Sequence, residues 1–76
     1  MTAEEAIGRV LTEYDRATKL HGPFANSHTG YAVILEELDE LWAEIKKRRH
    51  ERSVEELSKE ATQVGAMVIR FMVDLL

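Results

Sequence analysis

Apolar residues recur at helical spacing in three stretches of this chain, and helix-ending signals separate the stretches. The first stretch runs from about Ala3 to about Leu20, and Thr2 with Glu5 forms a capping box in front of it. His21-Gly22-Pro23 ends it, because proline cannot continue the helical hydrogen-bond ladder. The sequence therefore predicts an all-α fold of three main helices in one domain spanning residues 1–76.

Helix 2 is predicted to begin near Thr29 and to end in the basic run 46–52. Its apolar stripe consists of Tyr31, Ile34, Leu35, Leu38, Leu41, Trp42 and Ile45. We expect Trp42 to lie in the core. The basic run is typical of a solvated helix terminus, with a phosphate-facing patch as the alternative.

Ser53 with Glu56 forms a second capping box that opens helix 3. The apolar stripe of helix 3 consists of Leu57, Ala61, Val64, Met67, Val68, Phe71 and Leu75.

The small size of the chain favours association between copies. A chain of 76 residues buries only about 60% of the surface that its unfolded form exposes. It has no cysteine, so neither disulfides nor thiolate metal sites can add stability. We expect the small helical bundle to be completed by oligomerisation, as a homodimer or a homotetramer.

The charge of the chain argues against two classes of partner. Ten basic residues stand against fourteen acidic ones, for a net charge of -4, which disfavours nucleic-acid binding through phosphate neutralisation. No apolar run approaches the roughly 18 residues of a membrane span. The acidic N-terminal residues 1–5 are also unlike a signal peptide. We expect a cytoplasmic protein that binds neither nucleic acid nor membrane.

Acidic residues on consecutive helices predict a metal site. Residues three or four apart share one face of a helix, so Glu37 and Glu40 point at the same place. Glu60 and Gln63 have the same spacing on the next helix. Such a set of hard oxygen ligands suits Mg²⁺ or Mn²⁺.

Glu60 is the most informative member of this set, because it lies close to Val64 within the apolar stripe of helix 3. A buried carboxylate needs a metal or a cationic partner, or it is protonated. We favour metal ligation, with an ion pair to another helix as the alternative. Gln63 contributes an oxygen without charge, or it is an ordinary hydrogen-bonding residue between helices. Glu36 and Glu44 flank the cluster, and we expect them to offset part of the charge that an amide at position 63 does not supply.

The acidic motifs resemble those of a known family. The motif E-E-x-x-E at 36–40, followed after about twenty residues by E-x-x-Q at 60–63, resembles the MazG-like all-α nucleoside triphosphate pyrophosphohydrolases. The resemblance covers about residues 20–75. The segments His21-Gly22-Pro23-Phe24 and Gly30-Tyr31-Ala32-Val33 add to it. The chain departs from the family at Gln63, where the pattern has Asp or sometimes Asn.

The resemblance implies an Mg²⁺-dependent enzyme that hydrolyses a nucleoside triphosphate to the monophosphate and pyrophosphate. Glu37, Glu40, Glu60 and Gln63 then correspond to the metal ligands, and Glu36 is a candidate general base. Because Gln63 replaces an acidic ligand, a catalytically silent relative that binds nucleotide or a partner's helix is the alternative. A purely structural helical oligomer is the third hypothesis.

Five further residues carry weaker signals. His21, His28 and His50 lack metal-ligand spacing and are more typical of surface or hydrogen-bonding histidines. Phe24 and Tyr31 are candidates for stacking on a nucleotide base, and Phe24 alternatively closes one end of the bundle.

Overall fold

The computed structural model describes all residues from 1 to 76 and contains helices but no strands. Helix α1 comprises Ala3–Leu20, α2 comprises Ser27–Ile45 and α3 comprises Val54–Leu75. A short 3₁₀-helix, Arg49–Glu51, lies between α2 and α3. The all-α prediction with three main helices is therefore confirmed. None of the helices combines the length and apolar character that crossing a membrane requires.

The predicted starts of α1 and α3 are confirmed by their capping hydrogen bonds. The Thr2 hydroxyl accepts a hydrogen bond from the Glu5 backbone N–H at 3.1 Å. The Ser53 hydroxyl accepts one from the Glu56 backbone N–H at 3.2 Å. Each bond satisfies a donor that the first turn of a helix leaves unpaired, which fixes where the helix begins.

Helix α2 differs from its prediction at both ends. It begins at Ser27 rather than near Thr29, because the Asn26 side chain accepts the Thr29 N–H at 2.9 Å and acts as the cap. It ends at Ile45, so the basic run 46–52 lies beyond the helix in a turn and the 3₁₀-helix. All residues of that run are exposed.

Helix α3 is the centre of the molecule. It packs against both α1 and α2, whereas α1 and α2 do not approach each other closely. Two glycines allow these contacts to be close. A Cβ on Gly30 would lie 2.7 Å from a ring carbon of Phe71, and one on Gly65 would lie 2.9 Å from a methyl carbon of Val10. No larger residue fits either position without displacing its neighbour.

The core of a single chain is small. Only 7 of 76 residues are buried, and the buried apolar ones are Ala17, Phe24, Ala66 and Met67. The accessible surface is 5582 Å², against about 4,700 Å² for a compact folded monomer of this size. A single chain therefore leaves an unusually large part of its surface in water.

Much of this surface is the apolar stripe of α2. Ile34 and Leu41 are half-buried, and Ile34 packs against the core, whereas the rest of the stripe is exposed. Tyr31 is 63% exposed and Trp42 is 56% exposed. The prediction that Trp42 lies in the core is wrong for the single chain, because the stripe is wider than the surface that α3 covers.

The loop between α1 and α2 is tied to the C-terminal half of α3. Phe24 is buried, and its backbone N–H donates to Asp74 Oδ2 at 3.0 Å. Arg70 Nη2 donates to the Gly22 carbonyl at 2.9 Å. Phe24 thus closes one end of the helical layer, which was one of the two predictions for it.

Candidate metal centre

Three carboxylates converge between α2 and α3. Helix α2 places Glu37 and Glu40 on one face, and α3 brings Glu60 against them. One oxygen atom from each residue lies within 4.8 Å of one oxygen of each of the others. The expected proximity of these three residues is confirmed.

The carboxylates of this cluster form no salt bridge within the chain. Glu37 and Glu60 each have a buried Oε2 atom that accepts no hydrogen bond. Glu60 forms no salt bridge, so the ion-pair alternative has no support in the structure. An unpaired buried carboxylate is costly, and two beside each other repel as well.

The cluster shifts the protonation of its members. Burial, together with the charges of Glu40, Glu60 and Glu36, raises the pKa of Glu37 to about 7. Burial and the neighbouring Glu40 also raise the pKa of Glu60, although Lys59 opposes this. Below about pH 7 the cluster therefore holds a proton that a divalent cation would displace.

The donor set fits a hard cation. All three groups offer carboxylate oxygens, which suit Mg²⁺, Mn²⁺ or Ca²⁺ rather than a soft metal. The oxygens left without hydrogen bonds are the atoms that a cation would satisfy. Glu37, Glu40 and Glu60 are the residues that would hold it.

Gln63 lies one turn beyond Glu60 on α3, beside this cluster. It lines a cavity of about 290 Å³ that Glu37 also lines. It also lines an open groove next to α1 that contains Thr12 and Lys59. The structure thus places Gln63 at a cavity shared with one of the three converging carboxylates.

The two flanking glutamates have different surroundings. Glu36 is exposed in an open groove that Asp39 and Glu40 also line. Glu44 is buried; its Oε1 accepts the Ser53 backbone N–H at 3.1 Å, and its Oε2 pairs with Lys47 Nζ at 2.6 Å. Lys47 and Ser53 hold the pKa of Glu44 below its usual value.

The expectation that Glu44 offsets the missing charge of Gln63 is therefore wrong. Its two oxygens already anchor the start of α3 and bind Lys47, so Glu44 has a structural role. A helical wheel places Glu44 on the acidic flank but does not show that the chain after α2 folds back over it.

The aromatic and histidine residues are separated in space. Tyr31 and His28 line an open apolar groove at the start of α2, away from the carboxylates. His21 lines the 290 Å³ cavity with Gln63 and Glu37. His50 is exposed, 3.7 Å from Glu51 in the 3₁₀-helix.

Arg70 is the residue that the sequence reasoning missed. It is only 4% exposed and lines the same cavity as Glu37 and Gln63. A signal was present, because Arg70 is the only charged residue between Glu60 and Asp74, within the most apolar part of helix 3. Like Glu60, Arg70 is a charge within an apolar stripe and therefore needs a partner.

No protein-family model, curated protein or solved structure matches this chain. The resemblance to the MazG-like family stays a prediction from the two acidic motifs.

Proposed function

We propose that the protein is an Mg²⁺-dependent nucleoside triphosphate pyrophosphohydrolase, with Glu37, Glu40 and Glu60 as the cation ligands. The cation site rests on one observation: three carboxylates from two helices meet within 4.8 Å, and two of them have a buried oxygen without a hydrogen-bond partner. The reaction rests on the resemblance of the two acidic motifs to those of the MazG-like family. No salt bridge within the chain neutralises these carboxylates, and a bound cation would stabilise the arrangement.

The proposed reaction consumes one water and produces a nucleoside monophosphate and pyrophosphate. When bound, Mg²⁺ supplies neutralisation of phosphate charge and a lowered pKa for the attacking water. The water oxygen bonds to the α phosphorus, and the bond from that phosphorus to the bridging oxygen breaks. Glu36, exposed beside Glu40, is the candidate that accepts the water's proton. Mn²⁺ is a possible replacement for Mg²⁺.

Gln63 supports a second candidate, a catalytically silent protein that binds a nucleotide or a partner's helix. A site with three carboxylates and one amide binds Mg²⁺ more weakly than one with four carboxylates, because charge count sets affinity at oxygen sites. The two candidates share the same cation ligands and differ in whether pyrophosphate is released.

We also infer that two copies of the chain associate through α2. The spacing between successive exposed residues of its stripe alternates between four and three positions, as in a helix that packs along another helix. They are Tyr31, Leu35, Leu38, Trp42 and Ile45. The surface of one chain exceeds that of a compact monomer by about 850 Å², close to the roughly 800 Å² that each partner buries in a standard interface.

A pyrophosphate-release assay tests the enzyme proposal. A panel of nucleoside triphosphates is incubated with wild type, Glu60→Gln and Gln63→Asp over a Mg²⁺ titration. We expect weak, metal-dependent release by wild type, none by Glu60→Gln and faster release by Gln63→Asp, which restores an acidic ligand at the same spacing. Asp15→Asn is the control, because Asp15 is an exposed carboxylate on α1, outside the groove that Glu36 and Glu40 line.

The outcome separates the two candidates. If Gln63→Asp gains metal affinity and still releases no pyrophosphate from any nucleotide, the silent binder replaces the enzyme.

A further inference from the structure

The 290 Å³ cavity beside the carboxylates has a polar lining with an unusual share of basic groups. It lies between the second half of α1, the loop that follows, α2 and α3. Its polar lining consists of Glu13, Arg16, His21, Glu37, Gln63 and Arg70. Half of these residues are basic in a chain whose net charge is -4. The volume is near the lower limit of small-molecule sites, which begin at about 300 Å³.

Arg70 is a buried cation without an anion. Of the five N–H donors of its guanidinium, one on Nη2 reaches the Gly22 carbonyl at 2.9 Å. Nη1 contacts only the Met67 sulfur, at 3.5 Å, and Nε has no partner. The ring of Phe24 lies 4.3 Å below Cζ. Three donors therefore have no acceptor.

No carboxylate of the chain fills this role. Asp74 lies one helical turn from Arg70, but it accepts the Phe24 N–H and forms no salt bridge with the guanidinium. Arg16, the other arginine of the cavity, is already paired with Glu13 through a 2.8 Å bond from Nε. Arg70 is thus the cavity's unpaired guanidinium, and leaving it so is costly.

We propose that Arg70 anchors an oxyanion site in this cavity and that the oxyanion is a phosphate group. The planar fork of a guanidinium matches two oxygens of a phosphate. His21 and the Gln63 amide line the same space and offer further N–H donors. The oxyanion site follows from Arg70 itself, whereas assigning the phosphate to a nucleotide rests on the proposed function.

The position of Glu37 connects this site to the metal centre. Glu37 belongs to the carboxylate cluster and also lines the cavity. A phosphate on Arg70 therefore lies beside the cation ligands.

The test measures binding of inorganic pyrophosphate to the full chain in EDTA. Calorimetry gives the affinity, and NMR reports on the arginine Nε–H signals. We expect the Arg70 Nε–H signal, identified in wild type by its through-space contact with the Phe24 ring, to shift on titration. Arg70→Lys should weaken binding at least about tenfold, because lysine lacks the bidentate fork. Arg48→Lys is the control, since Arg48 is exposed and its side chain forms no hydrogen bond or salt bridge.

Two results would overturn the proposal. One is an unmoved Arg70 signal together with equal pyrophosphate affinity in wild type and Arg70→Lys. The other is a shift that follows protein concentration instead of pyrophosphate, which would assign Arg70 to a carboxylate of a second copy. The NMR titration uses wild type, so the conclusion stands even if the Arg70 variant folds poorly.

Metal-free conditions keep this test separate from the enzyme proposal. Glu60→Gln, which should lose the cation, should still bind pyrophosphate in EDTA. A nucleoside triphosphate titrated in parallel identifies the source of the phosphate. Higher affinity for it than for pyrophosphate indicates a nucleotide, and equal affinity indicates a free inorganic oxyanion, with Arg70 as the anchor in both cases.

Discussion

Replacing Glu37 with glutamine should stabilise the metal-free protein, and the gain should depend on pH. The pKa of Glu37 is raised from 4.5 to about 7 by burial and by the neighbouring carboxylates. Below about pH 4.5 Glu37 is protonated in both the folded and unfolded states, so it does not lower the free energy of unfolding. Between pH 4.5 and 7 the unfolded chain releases the proton and the folded chain keeps it, so stability falls as pH rises.

The magnitude follows from the size of the pKa difference. One pKa unit corresponds to about 1.4 kcal/mol, so with a pKa raised from 4.5 to about 7 the charged carboxylate destabilises the fold by between about 3 and 4 kcal/mol at pH 8. Glu37 retains some contact with solvent, which reduces this figure to roughly 2–3 kcal/mol. A glutamine amide carries no charge at any pH. Glu37→Gln should therefore gain roughly 2–3 kcal/mol at pH 8 and less than about 1 kcal/mol at pH 5.

Urea unfolding in EDTA at pH 5 and pH 8 measures this difference, with protein concentration held constant because association also affects stability. Asp39→Asn is the control, because Asp39 is exposed on the same helix and its change should stay within about 0.5 kcal/mol. Adding Mn²⁺ should stabilise wild type more than Glu37→Gln. An equal gain at both pH values, or a loss of stability at pH 8, would refute the electrostatic reasoning.

Two further predictions concern packing and association. Gly30→Ala should destabilise the fold by roughly 1–3 kcal/mol, because the new Cβ meets the Phe71 ring. Gly8→Ala is the control: its Cβ would have nothing within 4 Å, so it should stabilise the helix by up to about 1 kcal/mol. Thermal or urea unfolding measures both changes. Trp42→Ala should shift the chain from dimer toward monomer in analytical ultracentrifugation. Val54→Ala is the control and should leave the proportion of monomer unchanged, because Val54 is 80% exposed and lies outside the α2 stripe. A wild-type chain that sediments as a stable monomer at micromolar concentration would contradict the association.

The helices were predictable because their signals are local. The capping residues Thr2 and Ser53 satisfy donors within three residues of themselves, so sequence spacing alone located the starts of α1 and α3. Asn26 is an equally good cap, but the residues after it are polar or small, and the apolar periodicity of α2 becomes clear only at Tyr31. The start of α2 was therefore placed two residues late.

The carboxylate cluster was predictable because Glu60 interrupts an apolar stripe. A helical wheel shows which residues share a face, and a charge on an apolar face signals an unmet need for a partner. The same wheel does not show which helices are neighbours. For this reason the wheel predicts Glu44 beside the acidic site, whereas in the fold Ser53 and Lys47 bind its two oxygens. For the same reason Trp42 was assigned to the core of a chain in which α3 covers only one side of α2.

The cavity around Arg70 was not predictable in the same way. Its lining comes from all three helices and from the loop after α1, which are far apart in sequence. Only the position of Arg70 among apolar residues was a local signal. Its contact with the Gly22 carbonyl, 48 residues away, depends on how the loop folds over α3.

The most direct test of the metal centre is a calorimetric titration of Mn²⁺ into metal-free wild type, Glu60→Gln and the Asp39→Asn control. If Glu37, Glu40 and Glu60 hold a cation, wild type and Asp39→Asn should each bind one Mn²⁺ per chain with similar affinity. Glu60→Gln should lose at least about tenfold in affinity, because it removes one of three charged ligands. Equal affinity in Glu60→Gln and wild type, or no binding by wild type at millimolar Mn²⁺, would contradict the account.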